Sequence, residues 1–384
     1  MAAYDKNKLE NTFLIEEGEL LFDKKFISKE HFQNIKSQMP ALKTSSFFIR
    51  IGFFLLGCLL MSSILGLISL AFMDIFQRNE YLMFYMGGII AIAGCEILSK
   101  NDYYKHGLND AFVLSIILFW SVAIGMSSNS VTLAFAMLIL AGSFACIRYV
   151  HSISALITCI GFVALSVDLV IEHKLCNKAY LPFIGLFLGL IFYFVNQLLT
   201  KNEKFYFYKN SFFLVKIFSL LLIYFSMNYL VVRELSELLM DIVVEKGKDI
   251  PFAVIFYVLT FAIPVFYIAY GLSKKDRTFL LIGLFTFGFG VFTIRYYYAI
   301  LPIETALVLG GILLFAISYF AIQKLKMNIT GLTFLPDRGM DSSFILNAQA
   351  FLITAQNIKQ PVSSESKMSF GGGGFSGGGA GESF

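Results

Sequence analysis

Ten hydrophobic stretches, each close to the twenty or so residues that cross a hydrocarbon layer, fill the chain between about residue 47 and residue 325. In lipid no water is present to bond exposed backbone groups, so such a chain can only form helices or a closed barrel. Long apolar runs without a period-two alternation select helices. The expected fold is therefore all-α: a polytopic membrane bundle whose spans run near 47–73, 81–99, 110–128, 131–148, 152–171, 181–200, 211–232, 250–273, 278–298 and 303–325. The separations at 127–130 and 148–152 are the shortest, and an odd count there would move the carboxyl end to the other side.

Charge sets the orientation. With ten crossings and an inner amino end, 22 Lys and Arg fall on the inner side and seven outside, with Lys216 left within a span. The excess of positive charge places both termini in the cytoplasm and makes a multi-pass membrane protein the expected outcome. The basic residues are dispersed, so no face suited to nucleic acid forms, and the one partner the composition requires is the bilayer. Only 15% of residues are charged, against about a quarter in soluble domains.

Three regions follow. Residues 1–46 are polar and read as a helical hairpin, with Ser28 as the cap of its second helix and Pro40 as its end. No short apolar core with a cleavage site precedes the first span, so no removable leader is expected. Residues 47–325 form the membrane body. Residues 326–384 carry an amphipathic helix over 342–357 and a Gly-rich, disordered end. Within the body, Glu234, Glu237, Asp241 and Glu245 share one helical face and Leu235, Leu238, Leu239 and Ile242 another, which predicts a short interfacial helix after the seventh span. Ser99-Lys100-Asn101-Asp102, Thr200-Lys201-Asn202-Glu203 and Ser273-Lys274-Lys275-Asp276 repeat a hydroxyl, lysine and acid at three inner turns. They suggest a reused helical-hairpin unit, or simply the capping and anchoring chemistry that any inner turn favours.

Ionisable groups within spans are the first functional candidates, because placing one there costs a few kcal/mol or more. Arg50, Glu96 and Lys216 fall at inner ends, and Asp168, Arg295 and Glu304 at outer ends, leaving the midplane almost free of charge. Glu96 with Lys216 and Arg295 with Glu304 are the expected ion pairs. Candidate helix breaks are Pro264, Gly310 and Gly311, with Gly87-Gly88, Gly288 and Gly290 as further interruptions. Gly185 and Gly189 have the spacing of a close helix contact.

Catalytic and cofactor chemistry finds no support. The Gly374-Phe375-Ser376-Gly377-Gly378 stretch matches a hydrolase elbow formally but lies in the tail, away from any strand-to-helix turn. The four histidines stand apart without metal-ligand spacing, no nucleotide loop is present, and the five cysteines are scattered as packing residues. No catalytic, metal or cofactor residues are expected.

The stretch Leu20-Leu21-Phe22-Asp23-Lys24-Lys25-Phe26-Ile27-Ser28-Lys29-Glu30-His31 resembles the short helical hairpin that precedes the first span in a family of bacterial membrane proteins known only as a domain of unknown function. Arg295-Tyr296-Tyr297-Tyr298-Ala299-Ile300-Leu301 with Gly310-Gly311 is similar to an aromatic-rich hairpin of a sister family, though Glu304 stands where a lysine is expected. The resemblance implies a bacterial inner-membrane protein of uncharacterised activity. Two functions remain open: transport or permeation of a small molecule or ion of unknown identity, and a scaffold or sensor recruiting a protein partner through its hairpin or tail. A polar cavity reaching the midplane near Pro264 and Gly310 would favour the first, and solid packing the second.

Overall fold

The computed structural model describes residues 2–23, 26–240 and 250–298, with eight single positions between 305 and 323. Among the described residues there is no strand, and nine helices are long and apolar enough to cross a membrane. In chain order the helices are α1 (Lys6–Asp23), α2 (Lys29–Gln38), α3 (Phe47–Ala71), α4 (Met73–Arg78), α5 (Tyr81–Lys100), α6 (Leu108–Ser128), α7 (Val131–Tyr149), α8 (Ser152–Ile171), α9 (Leu181–Thr200), α10 (Lys209–Met227), α11 (Tyr229–Met240), α12 (Ala253–Lys274) and α13 (Arg277–Tyr298). The expected tenth span lies mostly outside the described residues; Thr305, Val308, Gly311, Ile312, Phe315, Tyr319, Ile322 and Gln323 are helical. The segments 241–249 and 324–384 also lie outside, and with them Asp241, Ile242, Glu245, the 342–357 helix and the glycine tail.

The surface supports immersion in lipid. Leu67, Leu70, Leu198 and Val254 are 68–75% exposed, in the middle or at the ends of apolar helices. A soluble protein does not leave so continuous an apolar surface in water. Inside, small residues set the helix spacing. A Cβ on Gly57 of α3 would sit 2.6 Å from Ala111 Cβ of α6, and one on Gly189 of α9 would sit 2.7 Å from a side-chain carbon of Ile223 on α10. Gly185 meets Ser226 in the same way, so the expected G-x-x-x-G contact forms between α9 and α10.

The helices alternate in direction, so α5–α6, α7–α8, α9–α10 and α12–α13 pack as antiparallel hairpins, and α10 joins α8 of the first half to α12 and α13 of the second. The turns after α5, α9 and α12 all lie at the end that carries α1 and α2, the hairpin end; the other is called the far end.

Of the glycines expected to interrupt spans, Gly87, Gly88, Gly288 and Gly290 do not. α5 continues through Gly87 and Gly88, which instead receive Phe119 and the Trp120 indole, and α13 continues through Gly288 and Gly290. α12 continues through Pro264, which is almost fully buried. α13 presents Gly290 to the Thr260 carbonyl that the proline ring leaves without its donor, and a Cβ there would approach that oxygen to 3.2 Å. The break that does occur is at Asn228, extended at φ −78° and ψ 127°, where α10 ends and α11 begins. The seventh span is thus shorter than its hydropathy suggests, and a separate helix, α11, begins at Tyr229, ahead of the expected amphipathic segment.

The terminal hairpin does not stand apart. Leu9 and Phe13 of α1 pack with Tyr4, Leu42, Tyr104 and Val150 in one buried cluster. Lys8 pairs with Asp102, Lys105 holds both carboxylate oxygens of Glu16 at 2.8 and 3.0 Å, and the Tyr206 hydroxyl donates to Glu17. Those charged side chains remain about a fifth to two fifths exposed, so each pair contributes at most about 1 kcal/mol. Burying one large apolar side chain contributes about 1.5–3 kcal/mol. The apolar cluster therefore holds the hairpin down and the ion pairs set its register. α2, by contrast, has no buried residue.

Candidate functional site

The charged groups of the spans gather in four places, and the pairing differs from the sequence expectation. Glu96 of α5 does not meet Lys216. It accepts from Arg148 of α7 through Nε and Nη2, both at 2.9 Å, and from the Tyr149 hydroxyl at 3.1 Å. Lys216 of α10 pairs instead with Asp276 in the α12–α13 turn and lies 5.3 Å from the centre of the Phe279 ring. Asp276 also caps α13, its Oδ1 accepting the Thr278 N–H at 3.0 Å. Both acids lie near their partners because a helical hairpin brings its turn beside the neighbouring helix, which sequence distance conceals.

At the far end, Asp168 accepts the Thr132 hydroxyl at 2.6 Å. That hydroxyl has one proton, so it accepts from His173 Nε2 at 2.9 Å. Asp168 is buried and ties α8 to the start of α7. Arg295 is half-buried on α13, and Glu304, its expected partner, lies outside the described residues. Gly310 also lies outside, and Gly311 has open space where a Cβ would stand.

The fourth place, at the hairpin end, is the candidate site. Asp110, in the first turn of α6, is 5% exposed, and its Oδ2 accepts Arg50 Nε of α3 at 2.5 Å. Its Oδ1 faces Nε2 of His151, 6% exposed, at 3.4 Å. His151 is the N-cap of α8. Its Nδ1 lies 2.7 Å from Ser154 Oγ and accepts the Ser154 backbone N–H at 3.3 Å.

Backbone geometry fixes this meeting. Gly107, at φ +99°, turns the chain into α6 directly against the first turn of α3; a Cβ there would stand 2.0 Å from the Arg50 carbonyl oxygen. Asn109 Oδ1 accepts the N–H groups of His106 and Gly107 at 2.9 and 3.2 Å. Lys43 binds the 101–107 loop through its N–H to Asp102 O at 2.7 Å and its carbonyl from Tyr104 N at 3.0 Å. Over the cluster lies the amino-terminal segment, held by the Ala3 N–H donating to Arg148 O at 2.7 Å.

Among the described residues, several polar atoms here are buried without a hydrogen-bond partner within the geometric limits: Tyr4 Oη, Ser99 Oγ, His106 Nδ1, Asp110 Oδ1 and His151 Nε2. Their concentration around one carboxylate marks a polar cluster in an apolar body. Burial pushes the Tyr4 hydroxyl up to about 12, with the nearby Asp110 charge adding to the effect and Ser99 and Asn109 opposing it. Burial also raises Tyr104 well above its ordinary value. His106 is lowered by burial, with Asp110 acting the other way.

The order Asp110, His151, Ser154 imitates a nucleophilic triad, but Ser154 is fully buried, so a substrate carbonyl cannot reach its oxygen. Among the described residues no group of three His, Cys, Asp or Glu side chains is arranged to hold a metal ion. Sequence reasoning found Arg50 and missed Asp110, Arg148 and His151, which it placed at helix ends or in a turn. The signal it could have used is that all four fall within one turn of a hairpin-end terminus.

In the second half, a fully satisfied polar network surrounds the Asn228 break. Asn228 Nδ2 donates to the Tyr224 hydroxyl at 2.9 Å and Thr293 Oγ1 at 3.1 Å, and the Tyr229 N–H donates to Thr260 Oγ1 at 3.0 Å. Two apolar cavities lie elsewhere. One of about 240 Å³ is bordered by Ile92, Trp120 and Phe144, and one of about 180 Å³ by Val163, Leu181, Phe225 and Leu235. Neither reaches Pro264. No known protein family, curated protein or solved structure matches this chain.

Proposed function

We propose that the protein is a non-catalytic membrane scaffold or sensor working at its hairpin end. The observation that carries this is the close packing about Pro264 among the described residues: Phe256, Thr260 and Tyr267 of the same helix are buried, as are Tyr224, Asn228 and Thr293 opposite, and their polar groups find partners within this part of the bundle. A carrier needs a polar, ligand-sized space at that depth. The Lys and Arg bias supports cytoplasmic termini, and the family resemblance supports a bacterial inner membrane. The surface for a partner is α2, since the apolar face of α1 is already occupied by the body.

Transport keeps one favourable observation, the discontinuity at Asn228 beside the Pro264-bearing helix, because broken helices free backbone groups for a substrate. Thermal stability of the purified full chain in lipid nanodiscs, with a broad panel of ions and metabolites, separates the two. A ligand at a hundred times its Kd stabilises by about 2.7 kcal/mol, a shift of several degrees. The scaffold predicts no such shift, together with loss of a crosslinked membrane partner when Lys29, Glu30 and Lys36 of α2 are replaced. A solute whose stabilisation disappears in Asn228→Leu would establish transport instead.

A further inference from the structure

We infer that the crevice between α8, α9 and α10 at the far end, covered by α11, binds one acyl chain of a zwitterionic phospholipid, with α11 at the level of the headgroup. The inference goes beyond the scaffold function and stands whether or not α2 recruits a partner.

The space arises from helix spacing. α10 packs along both α8 and α9, whereas α8 and α9 meet only briefly. Gly185 and Gly189 draw α9 onto α10; a Cβ on Gly185 would stand 2.9 Å from Ser226 Cβ. What remains is a crevice of about 180 Å³, with Val163 and Val167 of α8 on one side, Leu181 and Leu188 of α9 on another and Leu222 of α10 on the third. From Leu181 to Leu188 it follows α9 inward for about 10 Å. At the next turn Phe162, Phe192 and Phe218 close its deep end, with ring centres 6.1 and 6.3 Å apart. Val231, Val232 and Leu235 of α11 cover the other end.

The lining selects the occupant. Apart from three serines it is apolar, and each serine hydroxyl donates to a carbonyl of its own helix: Ser166 to Phe162 at 2.8 Å, Ser226 to Ile223 at 3.1 Å and Ser236 to Val232 at 2.6 Å. Water needs about two to four polar partners and does not find them here. An apolar cavity of about 150 Å³ admits benzene, so a run of about six carbons fits this one. Most of the lining side chains are only half-buried and Leu235 is 47% exposed, so the crevice is open to the outside. Its rim continues into Phe187, 64% exposed, and so into the surface that faces lipid. A chain entering from that surface gives the lining dispersion contacts that an open crevice lacks.

α11 decides between kinds of lipid. It carries Arg233, which lies 3.7 Å from Glu237 and donates to the Tyr229 hydroxyl at 2.9 Å, and also Glu234. Both a phosphate and an ammonium therefore find an opposite charge on this helix. A fatty acid or an anionic headgroup matches only the arginine.

The test places the full chain in phosphatidylglycerol nanodiscs containing a small fraction of phosphatidylethanolamine with a diazirine in its acyl chain, and locates the photolabel by peptide mass spectrometry. Leu222 lines the crevice, and Val258 of α12, 60% exposed, lies equally far from the far end of its helix and reports ordinary lipid contact. A chain held on three sides should label Leu222 about fivefold more than Val258. Diazirine-bearing phosphatidylglycerol and free fatty acid should label the two alike. Val167→Phe fills the crevice and should abolish the enrichment at Leu222 while leaving Val258 unchanged. If that variant does not fold, the three probes on the natural chain decide. Equal labelling of Leu222 and Val258 by phosphatidylethanolamine, enrichment that survives Val167→Phe, or equal enrichment with the phosphatidylglycerol or fatty acid probe would overturn the proposal.

Discussion

Gly107→Ala tests the geometry that assembles the buried charge cluster. At φ +99° an L-residue is strained by about 1–3 kcal/mol. The added carbon would also stand 2.0 Å from the Arg50 carbonyl oxygen, and 2.9 Å from both the Arg50 carbonyl carbon and the Phe54 nitrogen, all backbone atoms that cannot rotate away. Relief requires α3 and the start of α6 to separate by about 1 Å, since non-bonded atoms settle at roughly 3 Å or more. The Arg50–Asp110 bond starts at 2.5 Å and would stretch towards its limit. A charge-assisted bond contributes about 1.5–3 kcal/mol, and Arg50 is a third exposed, so the lower part of that range applies. Together the loss is about 3–5 kcal/mol. The assay is unfolding of the full chain in mixed micelles with increasing dodecyl sulfate, read by the fluorescence of Trp120, the one tryptophan. Gly66→Ala is the control, because nothing lies within 4 Å of its added carbon, and better helix propensity should leave it neutral or up to about 1 kcal/mol more stable. If Gly107→Ala is as stable as Gly66→Ala, then Gly107 does not bring α3 and α6 together and the account of the site fails.

Two further outcomes follow from the terminal hairpin and from His106. Phe13→Ala should release α1 at a cost of about 3 kcal/mol and open the segment between α1 and α2 to protease, while Lys8→Ala should cost at most about 1 kcal/mol; equal sensitivity would show that the ion pairs, not the apolar cluster, hold the hairpin. Burial lowers the proton affinity of His106 in the fold, so its contribution to stability is present above the unfolded value of about 6.5 and is lost as pH falls through the lower folded value. His106→Phe keeps the ring against Phe53, 4.1 Å away between centres, and should therefore lose less stability than the natural chain between about pH 7.5 and about pH 5. Equal pH slopes would refute the assignment.

What sequence alone determined here is the class of solvent and the element type, because span length and hydropathy depend on local composition and on the thickness of a bilayer. Helical spans over 47–298 were legible, as was the capping role of Ser28, which accepts the His31 N–H. Arg50, Glu96 and Lys216 fall toward the hairpin end of the bundle and Asp168 and Arg295 toward the other. Which charge meets which was not legible. Glu96 finds Arg148 and Lys216 finds Asp276, 52 and 60 residues apart, because pairing depends on which helices become neighbours and how each is rotated. Glycine in a lipid-facing helix and glycine at a crossing read alike in sequence, yet Gly66 touches nothing while Gly107 admits no side chain. The histidine that looked isolated stands against a buried carboxylate for the same reason: only the packing of α3, α6 and α8 brings Arg50, Asp110 and His151 to one point.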